Sequence, residues 1–166
     1  MVDADIRPAR PGDVEAICRI AERTWHAAYD DILRTGTIET ALAEWYDPDQ
    51  LGSAVERDDV GYVVAETEDG VVGFASGGPT DDPGVATLDT IYVDPDLWGD
   101  GIGHDLLAAV ESFCREAGCD TLSVRVLAGN EVGLSFYRSE GFDAVEERET
   151  DLFEERVTDV RLEGAL

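Results

Sequence analysis

Between Ile91 and His104 the chain reads Ile-Tyr-Val-Asp-Pro-Asp-Leu-Trp-Gly-Asp-Gly-Ile-Gly-His, with glycine at positions 99, 101 and 103. A β-rich run ends at a proline turn, and a glycine-rich loop then feeds an amphipathic helical pattern. The chemistry that suits this order is anion binding. Glycines let backbone N–H groups come close to a phosphate, and a helix N-terminus adds partial positive charge. A tight turn alone would need one glycine, so three alternating glycines before a strong helix favour a ligand. Two familiar phosphate loops are excluded. The dinucleotide pattern G-x-G-x-x-G fails because His104 stands three residues after Gly101, and because this loop lies in mid-chain. The nucleotide P-loop needs Gly-Lys-Ser/Thr, and the chain has no lysine.

Other residues near this loop in sequence could handle protons. Asp89 sits inside an apolar run, and strand alternation puts it on one face with Thr87, Ile91 and Val93. A carboxylate in such a place can have a raised pKa and act as a base; an edge-facing, solvated acid fits the pattern equally well. Tyr137 follows Phe136 on a helical stretch and by type alone is a packing residue. Asn130, in Gly-Asn-Glu, suits a helix N-cap. Trp25 and Tyr29 are four apart on one helical face and belong to an aromatic-rich set with His26 and Trp45. They read as core contacts or as the wall of an acceptor pocket. His104 falls in the first turn of the helix after the loop, where a ligand contact through its backbone is expected.

The elements that position these residues can be read from periodicity. Ile6 to Arg10 forms a short first strand, and Pro11-Gly12-Asp13 opens a helix whose buried face carries Val14, Ile17, Cys18, Ala21 and Trp25. Residues 37–57 give short helices broken at Asp47-Pro48. Gly61 to Glu66 and Val71 to Gly77 are strands joined by Glu68-Asp69-Gly70, a hairpin signal. Val85 to Val93 is a further strand. A helix from about Gly101 to Ala117 bears Ile102, Leu106, Leu107, Val110, Phe113 and Cys114 on one stripe and stops at Gly118. Thr121 to Leu127 is a strand and Glu131 to Glu140 a helix. Phe142 to Thr150 and Phe153 to Leu162 are closing strands. The order predicts a single α/β domain over 1–166, with a mixed sheet and helices on both faces.

Trp98-Gly99-Asp100-Gly101-Ile102-Gly103 resembles motif A of the GNAT acetyltransferase superfamily, Gln/Arg-x-x-Gly-x-Gly/Ala. Asn130, Phe136-Tyr137 and Glu140-Gly141-Phe142 are similar to its motif B. The element order also matches, so the resemblance spans nearly the whole chain, loosely over the first 60 residues. It implies the GNAT fold, a mostly antiparallel splayed sheet of about six or seven strands. It further implies acetyl-CoA as cosubstrate, without a metal, and N-acetyl transfer to a primary amine of a small molecule or peptide by direct attack in a ternary complex. The pyrophosphate would lie on Trp98, Gly99, Asp100, Gly101, Ile102, Gly103 and His104. The backbone of Ile91, Tyr92 and Val93 would meet the acyl arm, the Val93 N–H polarising the thioester carbonyl. Asn130 would hydrogen-bond the CoA arm. Tyr137 would protonate the leaving thiolate, its pKa near 10 keeping it protonated. Asp89 is the first candidate base, and Trp25 and Tyr29 would line the acceptor site. Two residues depart from the pattern. Trp98 replaces a polar or basic residue, and Asp100 brings a carboxylate into a loop for a dianion, so it should point to solvent. Arg125 stands where the ribosomal-protein alanine acetyltransferases are expected to carry a glutamate, which argues against that branch.

Composition bounds the rest. With 38 acids against 12 bases, all arginine, the net charge is −26, and the acids are spread along the whole chain. This fits adaptation to a salty cytoplasm, as in a halophilic archaeon, better than one acidic recruiting face. Duplex nucleic acid is an unsuitable partner for such a surface. No apolar run reaches the ~18 residues of a membrane span, and the first residues lack the features of a signal peptide, so a cytoplasmic protein is expected. Cys18, Cys114 and Cys119 have no metal-ligand spacing, and Cys114 reads as a buried, inert thiol. A non-catalytic acetyl-CoA sensor or scaffold is the alternative function, and a homodimer stays open.

Overall fold

The computed structural model describes residues 3–166. Seven strands form one sheet in the order β1-β2-β3-β4-β5-β7-β6. They are β1 (Asp5–Pro8), β2 (Gly61–Thr67), β3 (Gly70–Pro79), β4 (Val85–Val93), β5 (Thr121–Leu127), β6 (Asp143–Leu152) and β7 (Glu155–Ala165). Five α-helices connect them: α1 (Val14–Tyr29), α2 (Thr35–Trp45), α3 (Pro48–Ala54), α4 (Ile102–Glu116) and α5 (Glu131–Ser139). This is the mixed, mostly antiparallel sheet expected from the sequence. Among the described residues β4 and β5 pair in parallel and the other neighbours antiparallel. No described helix is long and apolar enough to cross a membrane.

Two apolar clusters sit on the two faces of the sheet. One is built on α4 and α5, with Ile102, Leu106, Leu107, Val110 and Cys114 buried against Ala75, Ala86, Leu88, Leu122 and Val124. The helix stripe drives this packing, since burying a Leu or Ile side chain is worth about 1.5–3 kcal/mol. Burial also pushes the Cys114 thiol up to about 11, so it is an inert core residue. The other cluster packs Ile17, Ala21, Trp25 and Tyr29 of α1, with Ile38 and Ala41 of α2, on Val64 and Phe74. Asp13 fastens the start of α1. Its buried carboxylate accepts from both terminal nitrogens of Arg7, at 2.8 and 2.9 Å, and from the Arg10 N–H at 2.8 Å. Those bonds hold its pKa below the usual carboxylate range.

The strand expected to begin at Phe153 begins at Glu155 instead. Phe153 and Glu154 form the β6–β7 turn, both with positive φ, 45° and 72°. Two positive-φ residues match the twist of a tight hairpin, and Asn or Gly usually fills them, so the sequence carried no sign of the turn. Contacts with α2 accompany it. Phe153 lies 5.2 Å from the Trp45 ring, and Glu155 accepts from the Arg34 N–H and the Thr37 hydroxyl at the start of α2.

Candidate active site

The sheet opens between its two central strands. β4 pairs with β5 from Val85↔Thr121 to Leu88↔Val124 and no further. At that point β4 carries a bulge. Gly77 faces Leu88 and Ser76 faces Thr90, so Asp89 is the extra residue. The bulge shifts the side-chain parity. Ala86 and Leu88 belong to the α4 cluster before it, whereas Val93 belongs to that cluster and Ile91 packs against it afterwards. Thr87 therefore does not share a face with Ile91 and Val93, and the expected Thr87–Asp89–Ile91–Val93 face does not exist. Period-2 reasoning fails at an inserted residue.

Beyond the bulge the backbone of β4 is divided between β3 and the gap. Asp94 donates its N–H to Val72 O at 2.8 Å, so by antiparallel alternation the Asp94–Val72 and Tyr92–Phe74 pairs are the hydrogen-bonded ones. The peptide groups of Tyr92 are thus committed to β3. Those of Ile91 and Val93 face the other edge, where β5 has departed. The Val93 carbonyl is already taken, by Trp98 Nε1–H at 2.8 Å and by the Thr24 hydroxyl at 3.4 Å. The Val93 N–H is left turned into the gap.

A cavity of about 580 Å³ fills this opening. Its walls include Asp89, Ile91, Tyr92 and Val93 of β4, Trp98, Gly99 and Gly101 of the loop, and Ile102, Gly103 and His104 of α4. Tyr29, Asn130 and Tyr137 complete the predicted members. Gly99 and Gly101 have φ of 87° and 86°, a backbone that disfavours any side chain. Gly101 is the N-cap of α4 and no side chain caps the helix, so its first N–H groups are unpaired donors facing the cavity end. Backbone amides and a helix dipole there suit an anionic group.

Two predicted members do not line the cavity. Trp25 is buried beneath it, 4.7 Å from the Tyr29 ring, and donates Nε1–H to the Tyr92 hydroxyl at 3.0 Å. It is a core residue because it lies on the buried stripe of α1, where Tyr29 and Trp45 pack on its ring and the Tyr92 hydroxyl takes its one polar group. Asp100 also lies off the wall, so its carboxylate does not line the loop end of the cavity. Trp98 does line the cavity, but its one polar group is spent on Val93 O and is unavailable to a phosphate.

The titratable members are set apart by their surroundings. Asp89 is exposed by surface area, yet enough protein lies around its carboxyl for desolvation to raise its pKa, with Arg57 opposing. Tyr137 is buried, and desolvation drives its pKa well above the usual phenol value. Its hydroxyl has no hydrogen-bond partner among the described residues. Since no sealed-off side-chain polar atom among them lacks a partner, that hydroxyl keeps access through the cavity. Asn130 is the N-cap of α5, accepting from the Gly133 N–H at 2.9 Å. Its amide nitrogen donates to the Tyr29 hydroxyl at 3.1 Å.

Sequence reasoning missed Thr24, which caps Val93, and Arg23. Arg23 reaches from α1 to Asp94 at 2.5 Å and Asp96 at 3.1 Å and braces the loop from outside. Among so many acids, no spacing marked those two as partners. Arg125 also lines the cavity, but its guanidinium is engaged by Asp159 at 3.2 Å.

The chain matches the model of the acetyltransferase (GNAT) family over residues 16–142, most of its length. It belongs to that family. Aminoglycoside N(6′)-acetyltransferase type 1 of Stenotrophomonas maltophilia is 30% identical to this acetyltransferase over 141 residues, 85% of this chain and 87% of the relative. Spermidine N(1)-acetyltransferase of Thermoplasma acidophilum is 25% identical over 156 residues, 92% of this chain and 96% of the relative. In fold, the acetyltransferase is similar to the crystal structure of PaiA N-acetyltransferase from Thermoplasma acidophilum in complex with coenzyme A. The TM-score is 0.86 at 24% identity, over 99% of this chain and 100% of that one.

Proposed function

We propose that this acetyltransferase uses acetyl-CoA to acetylate a primary amine of a small molecule or peptide, by direct attack within a ternary complex. One observation carries the proposal. A single cavity joins the uncapped first turn of α4, at one end, to the free Val93 N–H in the β4–β5 opening. The first suits a pyrophosphate and the second a carbonyl oxygen. Glycines 99 and 101 put no Cβ in the way. The relatives named for aminoglycoside and spermidine acetylation support an amine acceptor.

Acetyl-CoA supplies a thioester, whose carbonyl carbon takes the nucleophile and whose sulfur leaves. The Val93 N–H donates to the carbonyl oxygen, where negative charge develops as the amine attacks. Asp89 takes the proton the amine must lose, directly or through water. Its raised pKa brings the carboxylate nearer to the working range of a base. Tyr137 donates its hydroxyl proton toward the departing sulfur. Burial guarantees that the phenol is protonated, although a raised pKa also lowers the drive for complete transfer. Tyr29 lines the acceptor side, and Asn130 both caps α5 and holds Tyr29.

The test is thiol release from acetyl-CoA in molar salt, with a panel containing an aminoglycoside, spermidine, simple amines and short peptides. Acetylated product from at least one amine is expected. Coenzyme A binding without product from any of them would overturn the enzymatic proposal in favour of a sensor.

A further inference from the structure

His104 stands on the cavity wall in the first turn of α4, beside the unpaired N–H groups. Among the described residues the other basic side chain on the wall, Arg125, is on β5 between the buried residues Val124 and Val126 of the α4 face, so it points to the opposite face. The loop itself contributes no base, and Trp98 has spent its N–H. In a chain of net charge −26, His104 is therefore the side chain at this end that can become a cation.

Its imidazole meets a carboxylate at one nitrogen. Nδ1 lies 2.5 Å from Glu140 Oε1, just after α5, and the Glu140 side chain is only 17% exposed whereas that of His104 is 63% exposed. A carboxylate accepts and cannot donate, so Nδ1 carries a proton whether the ring is neutral or charged. Nε2 alone then records the titration. In the neutral ring it is a bare lone pair, which repels a phosphate oxygen. In the imidazolium it is an N–H donor with positive charge. The charged groups around the ring are Glu140 from the end of α5 and Asp105 and Glu111 from α4. All of them favour the imidazolium, Glu140 most, and the His104 pKa is raised.

We infer that His104 binds the pyrophosphate of the cosubstrate only in its protonated form, and that Glu140 is the positioning residue that holds Nδ1 and keeps the ring charged. This rests on the proposed use of acetyl-CoA. The consequence is a cosubstrate affinity that is high below the His104 pKa and falls as pH rises through it. Protonation thereby replaces the fixed cation that Trp98 does not provide.

The experiment measures the dissociation constant of 3′-dephospho-CoA from pH 6 to 9 at constant molar salt. That ligand has no phosphate monoester, which would titrate near pH 6, so the protein's titration is isolated. The wild type should lose about tenfold in affinity across the range, the size of one charge-assisted hydrogen bond. His104→Gln should bind with no dependence on pH. Glu140→Gln keeps the shape but removes the charge, and should move the midpoint to lower pH. A wild-type affinity constant within about twofold, small against one charge-assisted bond, would overturn the inference while leaving acetyl-CoA use intact. The same pH dependence persisting in His104→Gln would also overturn it. A wild type that binds neither this ligand nor coenzyme A at any pH would overturn both proposals.

Discussion

Tyr29 and Asn130 are 101 residues apart and joined by a hydrogen bond of 3.1 Å from the Asn130 amide to the Tyr29 hydroxyl. It ties α1, which packs on β4, to the first turn of α5, which follows β5. The two strands separate between these elements, so the bond bridges the opening that holds the cavity. It also fixes the orientation of the Asn130 amide, whose oxygen caps α5 at the Gly133 N–H.

That bridge is expected to couple the two residues energetically. Tyr29→Phe removes the acceptor, and Asn130→Ser keeps a capping oxygen on a side chain too short to reach Tyr29. In a double-mutant cycle the coupling should be about 0.5–1.5 kcal/mol, measured by denaturant unfolding in high salt. Additive single effects within about 0.3 kcal/mol would show that the bridge holds nothing.

Tyr137→Phe keeps the ring between Phe136 and Phe142, 5.2 and 5.6 Å away, and removes the transferable proton. If the hydroxyl assists the leaving sulfur, kcat should fall by about 10²-fold, the low end of general-acid effects because burial has made the phenol a weaker acid. Coenzyme A affinity and melting temperature should hardly change, since the hydroxyl makes no bond inside the described chain. Turnover within about threefold of wild type, well short of general-acid effects, would remove Tyr137 from the mechanism.

Gly101→Asp has room for its side chain, because a Cβ at Gly101 would meet nothing within 4 Å. Its φ of 86° should cost about 1–2 kcal/mol in a non-glycine residue, tolerable for a folded domain. The new carboxylate faces the unpaired N–H groups of α4 and competes with a phosphate. Calorimetry should find coenzyme A binding lost in a chain with a wild-type circular dichroism spectrum. Unchanged binding would place the phosphates elsewhere.

The excess of acids predicts that stability rises with salt. Net charge −26 is self-repelling, and screening shortens its reach from about 10 Å at 0.1 M to about 3 Å at 1 M. The melting temperature should climb steadily between those concentrations. A flat profile would mean that the surface carboxylates are too well separated to matter and would remove the case for adaptation to salt.

Where the elements lie was legible in the amino-acid order, because each is a local repeat. The stripe Ile102, Leu106, Leu107, Val110 and Cys114 can bury itself only as a helix, and the runs 85–93 and 121–127 can do so only as strands, as the structure has them. Glycines at 99 and 101 likewise marked the turn into α4, since positive φ is a property of single residues. What needed the tertiary structure was direction. Thr87 parted from the face of Ile91 and Val93 because pairing with β3 inserts Asp89 as a bulge, and no residue type announces that. Trp25 went to the core, and Trp98 turned its N–H to Val93 O, because of neighbours distant in sequence or brought round by the loop. The Phe153–Glu154 turn took positive φ where the residues argued against it, in a hairpin that meets α2 at Trp45 and Thr37. Periodicity is written into adjacent residues, whereas a side chain's partner is chosen by whatever the folded chain brings within 3 Å, and that choice is not local.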